Sequence, residues 1–355
     1  MKKRVWVAFA VILSLLMSGC TGGEAPESTD SSSTTTTSTT TATTTTTTAA
    51  PVLDLNPLTG IKELAPGSST RAVGIMLGNN PPSRPQFGIQ NADWFFETET
   101  EGAITRIMAI FANLDRVPDK VAPVRSARTP FVLMAETLDL IYVHAGGSTA
   151  ADAALKARDM ADINALGYDG TYFWRDPTLR SEKGYEYSLM TSGINLKKLA
   201  DKRNYRTESR SSSPFRFDGN AAIGNAATEI ECKASRSQYV TFKYSAESGL
   251  YAKSNGKLSD PTPHKSAAGE QIRVSNVIVM FDRRYAENNT TSSFDLEDGV
   301  GMLYTAGRER EIRWSRTASA LKFTEKDGSE LSVSAGKTYF LLVNENYRSG
   351  TFSKA

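Results

Sequence analysis

The chain has 355 residues, with 41 Lys and Arg against 39 Asp and Glu, a formal net charge of +2. Lys2, Lys3 and Arg4 supply +3 of that, so a chain that has lost its N-terminal segment sits near −1. No global basic field exists to attract nucleic acid, which is not expected as a partner; any anion site must be local.

The first twenty residues have three parts. Lys2, Lys3 and Arg4 are followed by an apolar run from Val5 to Met17, and Met17-Ser18-Gly19-Cys20 gives a small-residue approach to a cysteine. The run falls short of the roughly 20 residues that span a bilayer and reads as an export signal. Its end has the form of a bacterial lipobox, in which Cys20 is lipidated and becomes the new N-terminus. Residues 1–20 are therefore expected to be a lipoprotein signal peptide ending at Cys20. Two acyl chains give stable anchoring where one is marginal. With Cys20 committed to lipid, Cys232 stands alone, so no intrachain disulfide forms. One cysteine and two histidines cannot make a Cys/His zinc site, and neither metal nor cofactor is expected.

Between Ser28 and Ala50, 19 of 23 residues are Ser or Thr, a tract with nothing to bury and no means of offsetting its ordering entropy. Residues 21–53 are expected to be a disordered stalk. The folded body then divides by texture into residues 54–205, an α/β domain with a mixed sheet, and 206–350, a mainly β domain.

In the first half, Arg71–Leu77 reads as a strand ended by Asn79-Asn80-Pro81-Pro82. Trp94–Glu101 and Ile104–Phe111 read as a hairpin turned at Gly102-Ala103, with Glu97, Glu99 and Glu101 on one face and Glu101 close to Arg106 across the strands. Thr129 as N-cap and Pro130 at the first helical position open a helix to about Thr137. Leu140–His144 is a short buried strand, and Ser148 caps a helix running to about Arg158. Thr191-Ser192 starts another, and Asp201–Ser213 is polar enough for a mobile linker. The second half shows short alternating segments at Tyr239–Tyr244, Ile272–Phe281, Glu311–Ser315, Leu321–Phe323, Leu331–Val333 and Thr338–Val343, separated by turns such as Asn255-Gly256.

Several stretches together carry a family resemblance. They are Val73–Leu77, Arg84-Pro85-Gln86, Glu101-Gly102 with Ile104–Arg106, Pro123–Arg128, Tyr142–Ser148, Phe173–Asp176 with Arg180, and Thr191-Ser192. The second half adds Phe242-x-Tyr244, Tyr251, Asn255-Gly256, Asp260, Asn276–Val279, Trp314–Arg316 and Gly336–Thr338. On these residues the body resembles the YerB-like bacterial lipoproteins, which implies two adjoining exported domains and a location but no chemistry. The segment Tyr185–Met190 departs from that family's Pro-His-Asn-Leu-Tyr-like sequence.

The strongest local constellation in the residues themselves is cationic. Arg125 and Arg128 precede a helix start, His144 ends a buried strand, Ser148 opens a helix, and Arg175 and Arg180 follow an aromatic strand end. Guanidinium forks suit phosphate or carboxylate, and helix N-termini favour anions. These six residues form a candidate anion cleft, with ion pairing to Glu97, Glu99, Glu101 and Asp176 as the competing reading. The three glutamates are a separate acidic cluster; same-face neighbours ~6–7 Å apart are compatible with a glycosidase pair without being diagnostic. His264, in a turn-like Asp-Pro-Thr-Pro-His segment, is expected at the surface.

The expected function is that of a binding or scaffolding lipoprotein at the membrane–cell wall interface of a Gram-positive bacterium. It would be lipid-anchored on the outer face of the membrane, with a wall polymer or membrane protein as further partner. The alternative is an extracytoplasmic hydrolase or transferase acting on a phosphorylated wall glycan or lipid-linked substrate. No catalytic residue is assigned.

Overall fold

The structure, a computed structural model, describes residues 52–218 and 222–355. The expected signal peptide, Cys20 and the Ser/Thr tract lie outside the described residues.

In chain order the main elements begin with β1 (Val73–Gly78), β2 (Trp94–Glu99), β3 (Thr105–Phe111), α1 (Thr129–Thr137) and β4 (Ile141–His144). Then come α2 (Thr149–Lys156), β5 (Ala161–Asn164), α3 (Pro177–Lys183) and α4 (Gly193–Lys202). The second half contributes β6 (Glu229–Lys233), β7 (Tyr239–Ser245), β8 (Leu250–Asn255), β9 (Asn276–Asp282), β10 (Asp298–Thr305) and β11 (Arg308–Arg316). It ends with β12 (Leu321–Glu325), β13 (Thr338–Asn344) and β14 (Phe352–Lys354). The N-terminal half is thus α/β with a mixed sheet, and the C-terminal half is mainly β.

The two halves share one 11-stranded sheet. Its path runs from Asn225–Ala226 through β11, β10, β9, β13, β2, β3, β1 and β4 to β5, with β12 attached to β11. The join is β13, which pairs parallel with β9 on one side and parallel with β2 on the other, Leu341 opposite Glu97. Both faces of this region are covered, so β1, β2, β3, β9 and β13 are buried end to end. That is why they read as continuous apolar runs and not as alternating ones.

The period-two alternation of each strand sorts the two faces. Phe95, Ile107, Ala109, Val277, Tyr339 and Leu341 point one way, Trp94, Phe96, Met108, Ile110, Ile278 and Phe340 the other. Against the second face packs α1, through Phe131, Val132, Met134 and Ala135. Against the first packs a six-stranded sheet in the order Thr262–Pro263, β8, β7, β6, β14, with Arg273–Val274 also on β8. It contributes Ile230, Cys232, Val240, Phe242 and Tyr251 to the core.

Three expectations need correction. β2 ends at Glu99, and Glu101 lies in a 3-10 turn (Glu101–Ala103) in which Gly102 has φ +67°. The turn swings Glu101 out of the strand, so it does not share the face of Glu97 and Glu99. Asp201–Ser213 is also no loose linker. Thr207 O accepts from the N–H groups of Thr70 and Arg71, and Arg206 and the N–H of Arg210 both bind Asp139. Finally, Thr129 is the first residue of α1 and Arg128 is its N-cap. Ser148 and Ser192 do cap α2 and α4, accepting from the N–H groups of Ala151 and Asn195.

Candidate functional site

Of the arginines singled out in the sequence, Arg125, Arg128 and Arg175 are held by protein acceptors. Glu101 receives Arg106 at 2.7 Å, Arg128 Nε at 2.7 Å, and a further bond from Arg128 Nη2. Burial pushes the Glu101 carboxyl up, but the Arg128 hydrogen bond and the charges of Arg106 and Arg128 prevail and hold it below its ordinary value. Arg125 binds Glu186 (3.1 Å) and that residue's carbonyl (2.7 Å) and lies over the Tyr187 ring. Arg175 binds Asp169 (3.0 Å) and the Tyr185 carbonyl, with its guanidinium 3.8 Å from the Tyr185 ring centroid. Exposed Arg180 stands on that same ring. Arg125, Arg175 and Arg180 therefore converge on the turn Tyr185–Tyr187.

His144 and Ser148 are elsewhere occupied. Buried His144 places Nδ1 2.7 Å from the Gly146 carbonyl and Nε2 2.6 Å from Asp162, while the Ser148 hydroxyl caps α2. Glu99 is buried, with Arg284 at 3.7 Å.

Glu97 belongs to a different and larger constellation. Alternation along β2 points it, like Phe95, toward the six-stranded sheet. Alternation along β8 points Tyr251, Lys253 and Asn255 back at it. Lys253 Nζ donates to His264 Nδ1 (2.8 Å) and Asn255 Oδ1 (3.1 Å), and lies 3.7 Å from Glu97 Oε2. Glu97 also accepts from Asn79 (2.8 Å), Thr105 (2.6 Å) and the Tyr339 hydroxyl.

The proton positions follow from the donors. A charged ammonium can only donate, so His264 Nδ1 is an acceptor and Nε2 carries the hydrogen. Nε2–H then donates to Gln86 Oε1 at 2.9 Å, and Gln86 Nε2 donates to the Gly78 carbonyl at 2.9 Å. The neutral tautomer agrees with a His264 pKa held well below the ordinary value by burial, then by the charges of Lys253 and Arg84. Burial likewise pulls Lys253 down to about 8, against the attraction of Glu97.

His264 is thus a buried residue, not a surface one. The cause is local. Gly256, at φ +95°, turns the chain so tightly that a Cβ there would lie 2.6 Å from the Asp260 carbonyl. Thr262–Pro263 then pairs back on Asn255 and Ser254, and the His264 N–H bonds the Lys253 carbonyl. Those contacts fix the imidazole between Lys253 and Gln86.

An open cleft of about 700 Å³ lies over this network. Its walls include Pro81, Arg84 and Pro85 from the first half and Asn255, Asp260 and His264 from the second. Arg84 is half-buried. Its N–H bonds the Pro81 carbonyl and its own carbonyl accepts from Lys183, but its guanidinium has no hydrogen bond or ion pair among the described residues. Burial lowers its pKa, with Glu97 the main opposing charge. A second cavity, of about 220 Å³ beside Leu58, Trp94 and Leu140, is lined by no charged side chain.

Sequence reading passed over this site although its pieces were in view. Arg84-Pro85-Gln86, Asn255-Gly256 and Asp260 all lie in stretches that carry the family resemblance. Lys253 and His264 had no local signal, because only the pairing of β8 with Thr262–Pro263 brings them together.

Fold and cleft define a protein of two sequence domains fused through one sheet, with a polar cleft where they meet. The chain belongs to the family described as protein of unknown function DUF3048. Residues 58–206 match its N-terminal domain and residues 230–340 its C-terminal domain. It is 29% identical over 297 residues to "Putative lipoprotein YerB" of Bacillus subtilis (strain 168), covering 81% of this chain and 85% of that one. The crystal structure of YerB protein from Bacillus subtilis superposes with a TM-score of 0.72 at 27% identity, covering 84% of this chain and 99% of that chain. Arg84 and Glu97 thus fall in the N-terminal family domain, Lys253 and His264 in the C-terminal one.

Proposed function

We propose that the protein is a binding module of the Gram-positive cell surface, anchored to the outer face of the membrane through lipid on Cys20. In this reading the Ser/Thr stalk holds the body away from the bilayer, and the cleft at the domain junction takes the ligand. One observation carries it: Arg84, which lines an open cleft, has a guanidinium without an acceptor among the described residues, whereas Arg106, Arg125, Arg128 and Arg175 are all engaged by carboxylates. A volume of about 700 Å³ lies within the usual range for small-ligand sites.

Binding without turnover is the better fit to the chemistry. Both ring nitrogens of His264 and the ammonium of Lys253 are held by protein partners, so neither is free to exchange a proton with a ligand. The test is equilibrium binding of the full-length chain, in detergent micelles, to soluble fragments released from bacterial wall by muramidase. Arg84→Gln should weaken binding about tenfold, the scale of one charged hydrogen-bonding group. Equal binding by both proteins would remove the cleft from the site.

A further inference from the structure

We infer that the junction cleft recognises a single phosphodiester flanked by hydroxyl groups, a polyol phosphate unit. This deepens the reading above and rests on it.

Two cations and one carboxylate line the cleft: Arg84, Lys265 and Asp260. Arg84 is the half-buried cation, and the fixed charges behind it are Lys253 and Glu97, which cancel; His264 is neutral in the tautomer that its partners impose. Exposed Lys265 also lines the cleft and is opposite in sign to exposed Asp260, so the lining carries a net charge of one, and Arg84 is its half-buried cation. A guanidinium fork meets two oxygens of a tetrahedral phosphate at once, which a lone ammonium does not.

The second-half residues of the lining select what lies beside the phosphate. Among the described residues the exposed carboxylate of Asp260 has no ion pair or side-chain hydrogen bond, and the Asn255 amide nitrogen is likewise free of partners. A carboxylate repels a second anion and accepts from hydroxyls. Asn255 Nδ2 donates to them. A ligand charged at every position would place an anion against Asp260, so the fit is one charge with neutral, hydroxylated neighbours. Pro81, Pro85 and Pro263 supply apolar contact for the carbon backbone of such a unit.

Two sources share this chemistry, a soluble polymer segment and a lipid headgroup, and the experiment separates them. The full-length chain in detergent micelles is titrated calorimetrically with glycerophosphoglycerol, glycerol 1,3-bisphosphate, inorganic phosphate and acetate. Reconstituted through its lipid, it is then challenged with vesicles of phosphatidylglycerol in phosphatidylcholine. Glycerophosphoglycerol should bind at least about tenfold more tightly than the other soluble probes. Arg84→Gln should weaken that binding about tenfold with an unchanged melting temperature, and Arg84→Lys should restore part of it. Asp260→Asn should bring the bisphosphate level with the diester. Diester binding that phosphatidylglycerol vesicles displace identifies the headgroup as source; diester binding that they leave untouched identifies the polymer segment. Arg84-dependent binding of acetate or bisphosphate as tight as that of the diester would overturn the ligand class and leave the cleft standing. Diester binding unaffected in Arg84→Gln would overturn the cleft itself.

Discussion

The ammonium of Lys253 lies 3.7 Å from the carboxylate of Glu97, and neither side chain is touched by solvent. One belongs to the C-terminal family domain and the other to the N-terminal. The contact therefore closes the junction between two sequence domains with charge, in a place where β13 already closes it with backbone hydrogen bonds. Buried ions are retained at a net gain only when their remaining donors and acceptors are satisfied. Here Glu97 accepts from Asn79, Thr105 and Tyr339, and Lys253 donates to His264 and Asn255.

Removing one member strands the other. Glu97→Gln or Lys253→Met alone should cost about 3–5 kcal/mol of unfolding free energy. The double variant should cost clearly less than the two added together, because no uncompensated charge remains. Urea denaturation of the four proteins measures this, and strict additivity would show that the two charges are not coupled.

The same cluster sets a pH dependence of definite sign. Lys253 titrates at about 8 in the fold against 10.5 unfolded, so between those values the unfolded chain binds more protons. Stability from this group then rises with pH across that window. His264, held below its ordinary 6.5, acts in the same direction lower down: its contribution is intact above 6.5 and is lost as pH falls below it. Unfolding free energies at pH 5, 7, 8.5 and 10 should show both slopes. Lys253→Met should flatten the upper one and His264→Gln the lower one. An upper slope unchanged in Lys253→Met would assign it to other groups.

Glu101 is the hub of a second network, and its loss has a separate consequence. Arg106 is buried, so Glu101→Gln leaves its guanidinium without a counter-charge and should cost about 3 kcal/mol. Since Arg106 and Arg128 hold the carboxyl below its ordinary value, the stabilisation is present above that value and is lost as pH falls through the folded-state pKa. The difference in stability between wild type and Glu101→Gln should therefore shrink in acid. A constant difference from pH 7 to pH 3 would rule out an ionic origin.

Which of these features sequence can reveal depends on how local their cause is. Ser148 and Ser192 cap their helices because capping is decided within four residues. Tyr239–Ser245 and Thr338–Asn344 were legible as strands from their apolar residues. Asp298–Thr305 was not, since two glycines and an acidic start hide its alternation, and packing supplies what propensity lacks: a Cβ on Gly299 would meet Trp314 and the Phe281 carbonyl. The Glu101–Arg106 contact was anticipated from the hairpin but has another cause: the register sets Thr98 opposite Arg106, and the turn after Glu99 brings Glu101 to it. Lys253 and Glu97 are 156 positions apart, and their meeting depends on two sheets packing face to face, which no local pattern encodes. The chemistry assigned to Arg125, Arg128 and Arg175 rested on residue type; the partners that occupy them, Glu186, Glu101 and Asp169, come from turns whose direction a sequence does not give.

The anchor has its own test. If lipid on Cys20 holds the body, Cys20→Ser should release it and leave the fold untouched. Binding by two acyl chains is effectively lost when both are removed. The variant should therefore leave the membrane fraction, while its melting temperature stays equal to that of the wild-type protein. Fractionation with immunoblotting reads the first, thermal unfolding the second, and mass spectrometry of the wild-type N-terminal peptide should show an acylated cysteine at position 20. Retention of Cys20→Ser in the membrane fraction would mean that another part of the chain holds the bilayer, and the stalk would then have to be read as a linker between two attachment points.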